Sequence, residues 1–136
     1  GVEPYLVASS LEGVLAQRLV RVLCPNCKSE DHSDKAAALK ETFNIPAGVP
    51  IFQPVGCAEC RNTGFHGRHA VFEMMSLNKK VRQHILQNCS SGELKELAIK
   101  DGMTTLSEDG WRLVREGITT PDEVLRVTKS EHVNRD

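Results

Sequence analysis

Cys24-Pro-Asn-Cys27 and Cys57-Ala-Glu-Cys60 are the residues in this chain whose types and spacing can do chemistry. A CxxC turn can aim two sulfurs at one point, and two such turns complete a tetrahedron. Thiolates are soft ligands, and four of them suit Zn2+, whose filled d-shell imposes no geometry of its own. With every position filled by protein, no place is left for water, so the metal is structural rather than catalytic. Cys24, Cys27, Cys57 and Cys60 are therefore the candidate Zn2+ ligands.

Rival chemistries use the same residues. A redox dithiol needs a thioredoxin-like βαβ context, which the flanking sequence lacks. Paired disulfides belong to secreted chains, and the opening residues do not read as a signal peptide. An iron–sulfur centre would take the same four thiolates. Cys89 stands alone and reads as a free or half-buried thiol. The five histidines, His32, His66, His69, His84 and His132, show no ligand spacing. Arg68 ends a glycine-bounded turn, and Lys28 and Arg61 each follow the second cysteine of a pair. Cations there suit a tetrathiolate zinc centre of formal charge −2.

The elements that must position these groups follow from pattern. The fold class expected is mainly α with a few short β-strands, with a small tetracysteine zinc module set between a core segment and a C-terminal helical lobe. Residues 5–8 read as a buried strand. Ser9 and Glu12 fit a capping box for a helix whose stripe is Leu11, Val14, Leu15, Leu19, Val22 and Leu23. Gln17, Arg18 and Arg21 would then face solvent. Ser33 or Asp34 can cap a short helix through Phe43. Pro46, Gly48, Pro50 and Pro54 mark a loop with at most an edge strand over 51–55. Gly64 and Gly67 permit a tight reversal. Residues 68–75 alternate as a strand with Ala70, Phe72 and Met74 on one face. Leu77, Val81 and Ile85 share a helical face. Ser90, Thr105 and Thr120 each precede a glutamate by three positions, and Gly102 and Gly117 follow as stops. Trp111 reads as a packing residue. Residues 129–136 are polar and expected to fray.

Composition bounds the classes. The chain has 136 residues, 40% of them apolar, only 4% aromatic, and a net charge of −1. No run approaches the ~18 apolar residues that span a bilayer, so the expectation is a soluble chain. The first residue is Gly1 and the sequence opens straight into structured-looking residues, which suggests a piece of a longer protein. No GxxxxGK[ST] phosphate loop, GxGxxG turn, HExxH pair or GxSxG elbow is present, so no catalytic residue is assigned.

The run Leu15-Ala-Gln-Arg-Leu-Val-Arg-Val-Leu-Cys-Pro-Asn-Cys27 resembles the QRLxRxLCxxC segment of the GspE/PulE/PilB ATPases. Gly56-Cys-x-x-Cys-x-x-Thr-Gly-Phe-x-Gly-Arg68, with Val71-x-Glu73 after it, resembles their GCxxCxxTGYxGRxxxxE segment, Phe65 standing where tyrosine is usual. Residues 117–128 resemble their C-terminal end. The likeness covers about residues 1–128. It implies the C-terminal portion of a type II secretion or type IV pilus assembly ATPase. Residues 1–23 would be the last strand and helix of the ATPase core and 24–69 the zinc-binding module. Residues 70–128 would be a strand plus helical lobe, and 129–136 a frayed tail. ATP and Mg2+ would bind only in the full-length parent. Its partners would be neighbouring subunits of a homo-hexamer and an inner-membrane platform protein, at the cytoplasmic face of that membrane without inserting into it. Arg68 matches the arginine of the family's GxxGR turn, which the resemblance places near the nucleotide or subunit interface.

The chief alternative is a free-standing zinc-ribbon module that binds nucleic acid or protein. From Cys24 to Arg68, Lys28, Lys35, Lys40, Arg61 and Arg68 are matched in number by Glu30, Asp31, Asp34, Glu41 and Glu59. The segment therefore carries no electropositive footprint for a polyanion. A CxxCxGxG thiol chaperone is a third class. Cys60 is followed by Arg61-Asn62-Thr63-Gly64, which lacks the first of those glycines.

Overall fold

A computed structural model describes residues 13–88 and 90–128. The expected strand over 5–8, the Ser9 cap, Cys89 and the polar tail lie outside them. Two long strands, β1 (Gly13–Leu23) and β4 (Phe65–Ser76), pair with each other. Two short ones, β2 (Ser29–Glu30) and β3 (Phe52–Gln53), pair antiparallel, Ser29 opposite Gln53. Five helices complete the described residues: α1 (Asp34–Thr42), α2 (Lys79–Leu86), α3 (Ser91–Lys100), α4 (Leu106–Arg115) and α5 (Pro121–Val127).

The segment 13–23 is a strand, not the helix its stripe suggested. Ala16, Gln17, Arg18 and Leu19 favour a helix, while Val14, Val20 and Val22 favour a strand. What decides is β4, a partner far along the chain that takes up the backbone groups of β1. In period two, Val20 is fully buried, while Leu15 and Leu19, central to the helical stripe, are 58% and 44% exposed. The strands are also not uniformly short, since β1 and β4 run 11 and 12 residues. In β4, Ala70, Phe72 and Met74 do share a face, but Phe72 and Met74 are exposed and the buried side chain is Val71.

The capping arguments hold better. The Ser33 hydroxyl accepts from the Ala36 amide to open α1, Ser90 accepts from Glu93 to open α3, and Thr120 accepts from Glu123 to open α5 with Pro121 at its first turn. Each satisfies an amide that the first turn leaves without an intrahelical partner. Asn78 does the same for α2 by accepting from Val81.

The chain forms two compact units. One holds residues 72–105 with the start of β1. Its buried apolar side chains are Leu77, Val81 and Ala98. The other holds residues 18–71 and 106–128. It has two apolar clusters. Ile45, Ile51, Trp111, Val114 and Val124 form one, and Val20, Val71, Leu106 and Leu113 the other. Phe43 stacks on Trp111 with ring centroids 4.0 Å apart. Trp111 is a packing residue, as expected. The cysteine segment thus shares its core with α4 and α5, which lie far from it in sequence.

Candidate metal centre

Each cysteine pair sits on a short turn, the first directly after β1 and the second directly before β4. The second turn closes through Arg61 and Asn62, both at positive φ. The Gly64 that follows has φ +81, and a Cβ there would lie 2.4 Å from that of Pro54, so only glycine fits.

All four sulfurs lie within 4.8 Å of one another. Cys24 Sγ is 3.8 Å from Cys57 Sγ, Cys27 Sγ is 3.8 Å from Cys60 Sγ, and Cys57 Sγ is 3.7 Å from Cys60 Sγ. A tetrahedron with metal–sulfur bonds of about 2.3 Å has sulfur–sulfur edges of about 3.8 Å. A disulfide would need about 2.05 Å, and these cysteines are free. The donor set therefore fits one tetrahedrally held metal ion.

Donors surround the sulfurs. The amides of Gly56, Cys57 and Gly64 donate to Cys27, Cys60 and Cys60 at 3.3, 3.2 and 3.2 Å. Asn26 Nδ2 donates to Cys57 Sγ at 3.3 Å. Burial alone would raise the Cys60 thiol, but the Cys57 and Gly64 amides outweigh it and bring it down to about 6. The Asn26 amide lowers Cys57. At Cys27 the Gly56 amide pulls downward, but burial and the neighbouring cysteines outweigh it and push the thiol up to about 11. Left to themselves Cys27, Cys57 and Cys60 do not ionise alike. A divalent cation among them resolves the conflict, because every thiolate then faces positive charge.

Of the residues singled out from sequence, the four cysteines come together. His66 and His69 are exposed, and neither joins the cluster. Lys28 does not lie idle beside the thiolates. Its ammonium donates to the Gly117 carbonyl at 2.8 Å and sits 4.7 Å from the centre of the Phe52 ring. Arg68 is exposed, and among the described residues its side chain has no hydrogen-bond or ion-pair partner. Glu73, its nearest carboxylate in sequence, pairs with Lys95 at 3.5 Å.

Sequence reasoning missed a second polar centre. Glu123, 2% exposed, accepts from the Arg21 amide at 2.8 Å and from the Arg21 and Arg126 guanidiniums at 2.9 and 2.8 Å. Arg21 also lies 4.1 Å over the Phe65 ring. Arg21 does face solvent, its side chain 53% exposed, but its head group is engaged. Burial alone would raise the Glu123 carboxyl, but the two guanidiniums and the Arg21 amide hold it down at about 2. A cleft of about 390 Å3 opens beside this cluster. Its Arg21 is held by the buried Glu123, while its Lys35 meets Asp122 only in a solvent-exposed pair.

Four cysteine sulfurs on two turns, tied to a strand pair and a helical corner, are placed where they could hold a metal ion. The family described as type II/IV secretion system protein matches residues 1–126, and the chain belongs to it. The resemblance to GspE- and PilB-type ATPases is thereby shown. The type IV pilus assembly ATPase TfpB of Acinetobacter baylyi is 43% identical over 129 residues, 93% of this chain and 22% of that protein. Type II secretion system protein E of Pectobacterium carotovorum is 44% identical over 132 residues, 96% of this chain and 26% of the relative. The type IV pilus assembly ATPase PilB of Thermus thermophilus is 38% identical over 130 residues, 94% and 15% of the two chains. The chain spans about a quarter or less of these relatives' lengths. Among the described residues no helix is long and apolar enough to cross a membrane.

Proposed function

We propose that this chain is the metal-binding and subunit-coupling part of a hexameric traffic ATPase that powers type II protein secretion or type IV pilus assembly. One Zn2+ sits on Cys24, Cys27, Cys57 and Cys60. The observation that carries the reading is the convergence of four sulfurs at tetrahedral spacing in a chain of this family. Zinc is favoured over a redox role because the four sulfurs cluster together and three of them, those of Cys27, Cys57 and Cys60, accept from amide donors. A structural site of this kind contributes folding free energy directly. ATP and Mg2+ bind elsewhere in the parent. The parent works at the cytoplasmic face of the inner membrane, through neighbouring subunits and a platform protein.

Arg68 is the candidate for contact with nucleotide or a neighbouring subunit. Its guanidinium is exposed at the start of β4 and follows Gly67 at φ +81. A planar, always-charged fork suits phosphate or carboxylate recognition. In the full-length parent, Arg68→Ala lowers ATPase turnover while zinc content stays at one per chain, and Arg68→Lys restores only part of it. Loss of zinc from Arg68→Ala, with turnover per folded hexamer unchanged, would refute this role. The purified chain alone should show no ATP turnover, because its sequence carries no phosphate loop. Turnover that a substitution within the chain abolishes would overturn that statement.

A further inference from the structure

The residues flanking the cysteines are bonded to one remote segment, 117–123. Leu23, next to Cys24, donates its amide to the Ile118 carbonyl at 2.8 Å. Lys28, next to Cys27, donates its ammonium to the Gly117 carbonyl at 2.8 Å. Two residues before Leu23, the Arg21 carbonyl accepts from the Thr119 hydroxyl at 2.7 Å and the Arg21 amide donates to Glu123 at 2.8 Å. Thr119 is fully buried and Glu123 nearly so, so water does not replace these bonds locally. Gly117 sits at φ +75, and a Cβ there would lie 3.0 Å from the Phe52 ring and 3.4 Å from Lys28 Nζ. The corner between α4 and α5 is thus seated against both sides of the first cysteine turn.

The second turn joins the same frame. Cys24 donates its amide to the Gly64 carbonyl at 2.9 Å, and the Gly64 amide donates to Cys60 Sγ at 3.2 Å. A metal held by all four sulfurs fixes the spacing of residues 23 and 28, the two anchor points of the corner. Without it, the Cys24–Gly64 backbone bond still links the turns and the Lys28–Cys24 bond still closes the first, but the sulfurs no longer constrain them and the spacing of the two anchors is less firmly fixed.

We propose that the metal centre and the 117–123 corner are one coupled device. Metal occupancy sets the order of the corner, and the corner sets how long the metal is retained. Lys28 and Glu123 are the positioning residues that carry the coupling, and neither is a ligand. The proposal rests on the zinc reading above. Thermodynamic linkage makes it reciprocal, so it can be tested from the end that leaves the cysteines untouched.

The test uses the whole chain loaded with zinc and measures transfer of zinc to the chromophoric chelator 4-(2-pyridylazo)resorcinol. Glu123→Gln keeps the shape of the side chain and removes its charge. It should bind one zinc per chain and release it roughly five- to tenfold faster than the unaltered chain. Lys28→Met, which keeps the stem and loses the Gly117 bond, should behave likewise and serves if Glu123→Gln does not fold. From the other end, chelation should raise amide exchange at residues 118–128 by at least tenfold, while residues 79–100 change little. Release at the unaltered rate in both variants overturns the coupling, as does unchanged protection of 118–128 after metal removal. If the unaltered chain takes up no stoichiometric zinc, the zinc reading itself fails, and that is seen before any variant is compared.

Discussion

The two compact units are held by different means. The unit of residues 18–71 and 106–128 has two apolar clusters, a four-sulfur centre and a buried carboxylate clamped by two arginines. The unit around 72–105 buries Leu77, Val81 and Ala98, and leaves Leu15, Phe72, Met74, Leu86 and Ile99 exposed. Its ion pairs, Lys95 with Glu73 and Lys80 with Asp101, are partly solvated and worth little. The difference shows how a segment poor in large apolar residues is made to fold. Residues 24–68 contribute few of them, and the borrowed faces of α4 and α5, together with the proposed metal, make up the shortfall.

Removing the metal should break this comparison most severely. Cys60→Ala should abolish stoichiometric zinc and cost on the order of 10 kcal/mol of metal-linked folding free energy. Exchange protection should fall across residues 18–71 and 106–128, while α2 and α3 retain theirs. A uniform collapse that includes 79–100 would mean the two units are not separately stabilised.

Truncating the shared apolar core comes next. Trp111→Ala removes the ring stacked on Phe43 beside Ile45, Ile51 and Val124 and should cost about 3–5 kcal/mol. Denaturant unfolding of the zinc-loaded protein checks it. A cost below about 1 kcal/mol would show that the metal alone holds the segment.

The Glu123 cluster gives a pH signature. Its carboxyl is held at about 2 in the folded chain against an ordinary value of 4.5. The folded state thus binds its proton less readily, and the contribution is present above pH ~4.5 and lost as pH falls towards 2. The shift corresponds to about 3 kcal/mol. Glu123→Gln should lower stability at pH 7 by a similar amount and flatten the acid limb of the profile. Cadmium in place of zinc, which resists acid release from thiolates better, separates this limb from loss of the metal. An unaltered acid limb in the variant would show that other carboxylates set it.

Arg68→Ala should do least. The side chain is exposed, and its removal should change the stability of this chain by less than about 0.5 kcal/mol. A larger loss would make Arg68 part of the module's own structure rather than an outward contact.

What was legible in the sequence was what is local. The CxxC turns declare themselves within four residues, and the caps at Ser33, Ser90 and Thr120 within three. What was misread depends on distant partners. Residues 13–23 carry a plausible helical stripe, and only the pairing with β4 makes them a strand. Glu123 reads as an ordinary first-turn acid of α5, yet its carboxylate is taken up by Arg21, 102 positions away. Lys28 was seen as a counter-charge to the thiolates. Its actual target, the Gly117 carbonyl, lies 89 positions away. No spacing rule connects such residues, because loop closure and not local geometry brings them together.

The central claim is that one zinc ion sits on four cysteine sulfurs. It is tested most directly by X-ray absorption at the zinc edge, together with elemental analysis of protein purified under reducing conditions. The account predicts one zinc per chain with four sulfur neighbours at about 2.3 Å and no nitrogen or oxygen in the shell. A chain free of stoichiometric metal would contradict it, as would a shell of mixed ligands or cysteines joined as disulfides in the native protein.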